Sequence, residues 1–326
     1  MNIQLFEKLS GEGLVSPGSL QKVKAAEGKR LFSLHWELKT ILYLGVLLLS
    51  GGLGILIYKN IDTIGHQAIL FAIAALCLGC FYYAQKHKPH FSWNKVLSPN
   101  SLFDYSVLLG CLLFVTFISY MQAQYNVFGT RYGLAAFFPM VLLSFSAYYF
   151  DHIGVLSLAI TNFAAWLGVS ITPYHIFSQN DFSSDRLIYT GLFLGVFLIA
   201  AGLFSTKKNI KQHFAFTYHN FGTNILFISL ISAMVVFERM YLLWFLLLAG
   251  VAYAIYTMAL KNRSFYFLLI TILYAYVGLT YVVLRSLFIQ DLDTITLALF
   301  YLVGSGVGLV VLLVHLNKKV KQHDSL

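Results

Sequence analysis

Three stretches of the chain, Ile41 to Tyr58, Ala68 to Tyr83 and Tyr241 to Leu260, carry no charged side chain. A helical run of about 20 apolar residues matches a hydrocarbon layer of about 30 Å. Inside such a layer the backbone N–H and C=O groups must bond within the protein, so apolar runs of this length become helices. Composition agrees: 11% of the 326 residues are charged, against about 25% in a soluble domain. That is too few to coat a water-exposed surface. The fold class expected is all-α, a polytopic integral membrane helix bundle.

Apolar runs bounded by charges and turn residues place ten spans near 39–58, 66–85, 103–124, 132–150, 153–172, 187–206, 216–237, 240–260, 264–284 and 294–316. The tightest connections are Asp151-His152 and Glu238-Arg239, read as hairpin turns. Basic residues test this map. With a cytoplasmic N-terminus, the inner segments hold 17 of the 22 lysines and arginines; the outer ones hold Lys59, Arg131, Arg186, Arg239 and Arg285. Lysine and arginine near cytoplasmic helix ends set orientation, so both termini are expected in the cytoplasm. The net charge of +9 is then mostly an orientation signal facing anionic lipid.

The expected organisation is a cytoplasmic helical leader over 1–38, a transmembrane domain over 39–317 with candidate halves 39–172 and 187–316, and a cytoplasmic tail over 318–326. No apolar core of signal-peptide length precedes the first span. In the leader, Ser16-Pro17 is an N-cap followed by proline in the first turn. Leu31, Phe32, Leu34 and Trp36 beside Lys29, Arg30 and Lys39 suggest an interfacial helix. Two short helices without a third and a core do not make a DNA-binding unit, so nucleic acid is not an expected partner.

The segment Leu9-Ser10-Gly11-Glu12-Gly13-Leu14-Val15-Ser16-Pro17-Gly18-Ser19, followed by a first span with Gly45, Gly51, Gly52 and Gly54, resembles the start of DUF2157, a family of bacterial predicted membrane proteins. The specific likeness covers about the first 60 residues; beyond it the likeness is one of layout. The resemblance implies a bacterial cytoplasmic (inner) membrane and carries no functional residues with it.

Two clusters are candidates for chemistry. Asn220 and Asn224, four apart, share a helix face behind His219, and Asn162 lies one turn before Trp166. Polar groups in a bilayer face protein or water, so these five residues define a candidate binding site between spans five and seven. Interhelical hydrogen bonding is the plainer reading of the same amides. The second cluster, Asp104, Asp151, His152 and His219 with His213 nearby, holds the side chains a zinc or iron centre uses. It lacks an H-E-x-x-H motif and a carboxylate deep in a helix. No cofactor is assigned, and no catalytic residue. Cys77-x-x-Cys80 sits in an apolar helix without a second pair and reads as small buried residues. Gly304-Ser305-Gly306-Val307-Gly308, inside the tenth span, reads as small-residue helix packing rather than a phosphate loop. Pro139 is expected to break the fourth span beside a cavity.

Three functional expectations follow, in order of preference. The first is a transporter or binding protein for a small molecule or lipid, in which two five-span halves would be inverted. The second is a non-catalytic scaffold or accessory subunit of an envelope complex, meeting a membrane protein partner through residues 1–36. The third is a metal-dependent lipid hydrolase.

Overall fold

The computed structural model describes residues 11–12, 15–16, 18–19, 34–59, 65–171, 185–287 and 292–322. Among them no strand occurs, and the chain runs through ten long helices. These are α1 (Leu34–Lys59), α2 (His66–His87), α3 (Ser101–Tyr125), α4 (Tyr132–Phe150), α5 (Ile153–Ile171), α6 (Asp185–Lys208), α7 (Ala215–Val236), α8 (Tyr241–Lys261), α9 (Phe265–Ser286) and α10 (Leu292–Gln322). Each expected span coincides with one helix. Eight are long and apolar enough to cross a membrane, and α1 and α5 contribute shorter apolar stretches, Leu38–Leu53 and Ile153–Gly168. Large apolar side chains lie open on the outside, Phe71 at 76% and Phe300 at 73% exposure among them. A chain this poor in charge needs lipid against such a surface. It is a polytopic membrane protein.

The chain divides between Ile61 and Asp62 into two units. The first contributes α1; the second holds α2 to α10. In the second unit, packing is heaviest within the hairpins α2–α3, α4–α5, α6–α7 and α8–α9, and α7 also meets α8 and α9. Most of the leader, the connection over 172–184 and the last four residues lie outside the described residues. Of the leader, Ser16 Oγ accepts from the Ser19 N–H at 3.2 Å, the N-cap geometry expected of it.

Two hairpin turns form where the sequence placed them. At Asp151 the backbone turns left-handed, with φ 58°, and the His152 N–H reaches back to the Ala147 carbonyl at 3.0 Å. That pairing closes the end of α4 as a glycine usually does. The α7–α8 connection is a single 3₁₀ turn, Glu238–Met240.

The α6–α7 crossing brings two backbones almost into contact. A Cβ built on Gly195 would lie 2.9 Å from the Leu226 backbone, and one on Gly222 would lie 2.9 Å from the Gly195 carbonyl. Only residues without a side chain let these two backbones approach so far. Cys77 and Cys80 play the small-residue role expected: Cys77 Sγ donates to the Gly110 carbonyl at 3.4 Å, and a Gly110 Cβ would sit 3.2 Å from Cys80 Cβ.

Two expectations are corrected. Pro139 does not break its span: α4 is continuous through it, although Pro139 does line a cavity. The glycines of α10 do not pack against the described residues: a Cβ at Gly304, Gly306 or Gly308 would meet nothing within 4 Å. Ser305 of that run does reach a neighbour, Tyr276 of α9, at 3.0 Å.

Candidate functional site

The connections α2–α3, α4–α5, α6–α7 and α8–α9 gather at one end, which also carries most of the described lysines; this is the basic end. There Asp151 is the hub. Its Oδ1 accepts from Lys211 Nζ at 3.0 Å and from His213 Nε2 at 2.7 Å, and its Oδ2 accepts from the Val96 N–H at 2.6 Å. Lys211 is 1% exposed. Its backbone N–H donates to the Trp93 carbonyl at 2.7 Å, and its ammonium lies 5.2 Å from the Phe91 ring centre. One carboxylate thereby ties three connections together. Both of its oxygens are engaged in holding these connections together.

The four expected metal-ligating residues are not brought together around one point. Asp104 accepts from Ser98 at 2.7 Å at the exposed start of α3. His152 Nδ1 accepts from the Val155 N–H at 3.1 Å, so that imidazole caps α5. His219 lies inside the α6–α7 crossing. Among the described residues no three His, Cys, Asp or Glu side chains gather around one point.

The five expected binding residues separate into two groups. On α7, Asn224 Nδ2 donates to Asn220 Oδ1 at 2.9 Å. Tyr266 and Tyr274 of α9 then donate to Asn220 Oδ1 at 2.6 Å and to Asn224 Oδ1 at 3.0 Å. The amides thus face α9 rather than α5, as a polar ladder between parallel helices. Asn162 instead faces α3 and α4, and Trp166 stacks among Phe163 and Phe137 at 6.0 and 5.6 Å. A helix face can be read from spacing; which neighbour it meets cannot.

Of the expected residues on α7, His219 is the one that reaches open space. Its ring occupies the room left by Gly202 of α6, where a Cβ would sit 2.7 Å from it. It borders a cavity of about 590 Å³ between α6, α7, α8 and α9 at the basic end. Ile199, Leu203, Phe216, Ile255, Met258 and Phe267 make the apolar walls, and Thr206, Gln212, Thr223, Lys261, Asn262 and Ser264 supply polar groups. The sequence carried a partial signal for this place, since His219 opens a span. The walls come from four helices, and nothing in their spacing announces that they meet.

Residues 7–156 match the model of DUF2157, described as a predicted membrane protein. The DUF2157 match extends well past the first 60 residues that carry the specific likeness, through α1 to α4 and into α5. It includes the hub Asp151 and stops before Asn162, Lys211, His219 and the α6–α9 cavity. No curated protein and no solved structure matches the chain.

Proposed function

We propose that this chain binds, and carries within the bacterial cytoplasmic membrane, a small molecule or lipid of amphiphilic character. The observation that supports this is the α6–α9 cavity. Its apolar walls suit a hydrocarbon chain, while His219, Gln212, Asn262 and Lys261 lie where a headgroup would meet the membrane boundary. The basic end is assigned to the cytoplasm, with both termini there, because the described lysines concentrate on that side. Asn220 and Asn224 belong to the wall behind the cavity and hold α7 on α9.

The test is native mass spectrometry of the full chain released from mild detergent. A bound amphiphile is expected on the wild type and is lost in Leu203→Trp, which fills the cavity from its exposed side, and weakened in His219→Leu. A wild type with no adduct, or an adduct kept by both variants, overturns the reading.

A scaffold is the second reading, and α10 supports it. Gly304 and Gly308, four apart on one helix face, have none of the described residues against them, a surface on which another helix can approach closely. Loss of a stoichiometric co-purifying protein on Gly308→Leu would move the assignment to this reading.

A further inference from the structure

A second cavity, of about 680 Å³, opens among α3, α4 and α5 toward the end opposite the basic one. It is built from different chemistry and stands independently of the α6–α9 cavity. Its lining includes Ser119, Gln122, Asn126, Ala135, Pro139 and Asn162.

The hydrogen-bonding capacity of these residues is uneven. Gln122 is fully engaged: it donates to Asn126 Oδ1 at 2.9 Å and to the Gly129 carbonyl at 3.0 Å, and it accepts from the Phe128 N–H at 2.9 Å. It therefore fixes the α3–α4 connection as a rigid rim. Asn162 is the opposite case. Its Oδ1 is buried and accepts from no group among the described residues. A buried acceptor left this way is destabilising unless something enters to donate to it. A second acceptor stands on α4. Pro139 has no N–H, so the Ala135 carbonyl, one turn earlier, lacks its helical donor.

Both acceptors belong to residues of one cavity, and Lys, Arg, His, Asp and Glu are absent from its lining among the described residues. An ion entering there would lose its hydration without gaining a counter-charge. Small side chains, Ala123, Ala136 and Ala165, leave the space open. The volume far exceeds the roughly 30 Å³ share of one water molecule.

We propose that this cavity is a binding site for an uncharged, hydroxyl-bearing group that donates hydrogen bonds to Asn162 Oδ1 and to the Ala135 carbonyl. The same chemistry is offered by a free polyol and by the glycerol hydroxyl of a diacylglycerol.

The experiment uses the full chain in two arms. In the first, radiolabelled sorbitol is equilibrated against detergent-purified protein, with gluconate, its charged counterpart, as competitor. In the second, the chain is reconstituted in phosphatidylcholine vesicles containing diacylglycerol, re-extracted, and the retained diacylglycerol is quantified. Saturable binding is expected in one arm. It should fall about tenfold, the value of one lost hydrogen bond, in Asn162→Leu. Ala136→Phe, which takes up space in the cavity and keeps Asn162 in the chain, should reduce it as well and serves if Asn162→Leu does not elute as a monodisperse species. Binding of sorbitol alone identifies a free polyol as the ligand class, and binding of diacylglycerol alone identifies a lipid. Binding in neither arm, binding unchanged in the folded variants, or competition by gluconate as strong as by unlabelled sorbitol overturns the proposal.

Discussion

Lys211 and Asp151 face each other inside the protein with 1% and 6% of their side chains exposed. Removing one member of such a pair leaves an uncompensated charge in a poorly polar environment, which costs about 3–5 kcal/mol. Lys211→Met is therefore expected to lower stability strongly, read as the temperature at which detergent-purified protein loses monodispersity. The double variant Lys211→Met/Asp151→Asn should recover part of the loss, because the charge is gone and asparagine tolerates the left-handed backbone at 151. A double variant no better than the single one would show that the ion pair is not what holds these turns. Asp151 is visible in the sequence as a carboxylate near histidines, which suggested a metal. Lys211 hides among the lysines that orient the helices, since nothing in a loop's composition distinguishes a buried ammonium from a solvated one.

At the scale of elements, two helix pairs are held by different means. The α6–α7 crossing depends on missing side chains. Gly195→Ala, which forces a methyl against the Leu226 backbone, should destabilise by about 1–3 kcal/mol. Gly250→Ala on α8, where a Cβ meets nothing within 4 Å, should be neutral or mildly stabilising by comparison. Chemical unfolding of the two variants in mixed micelles checks the contrast. The α7–α9 pair is joined by amide and phenol groups. A double-mutant cycle of Asn224→Ala with Tyr274→Phe should give a coupling of about 0.5–1.5 kcal/mol, the range of interhelical hydrogen bonds in membranes. A coupling near zero would mean the ladder is geometrical rather than energetic. Gly191 and Gly195 already stand four apart in the sequence, a spacing that marks a close-packing face, while the identity of α7 as the receiving helix is a tertiary fact. In the sequence Tyr266 and Tyr274 look like any other aromatic residues of a span, because a tyrosine declares its partner only when the partner is across from it.

For the whole molecule, the assignment of the basic end to the cytoplasm makes a direct prediction. With Cys77, Cys80 and Cys111 replaced by alanine, a cysteine at Asn209 should react with an impermeant maleimide only in broken cells. One at Gly129 should react in intact cells whose outer barrier has been permeabilised. The reverse pattern would invert the topology and move the α6–α9 cavity to the outer boundary. Opposed helices and their turns follow from alternating apolar runs and charges, so the row of hairpins is legible in the residues alone. The partition into cavities is not. Asn162 and the amides of α7 look equivalent in the sequence, each a polar residue in an apolar span, yet one faces an opening and the others are satisfied by phenols.

The sequence alone determined that this chain lives in a membrane, that it is helical, where its ten expected spans run, and that its start resembles DUF2157. Those properties depend on the local balance of apolar and charged residues, on helix geometry and on hydrogen-bonding rules that act within a single segment. The tertiary structure decided which polar groups are partnered, which glycines touch a neighbour and which do not, and where space remains. Such outcomes depend on the rotation of each helix against residues far away in the chain, a quantity that no single segment encodes.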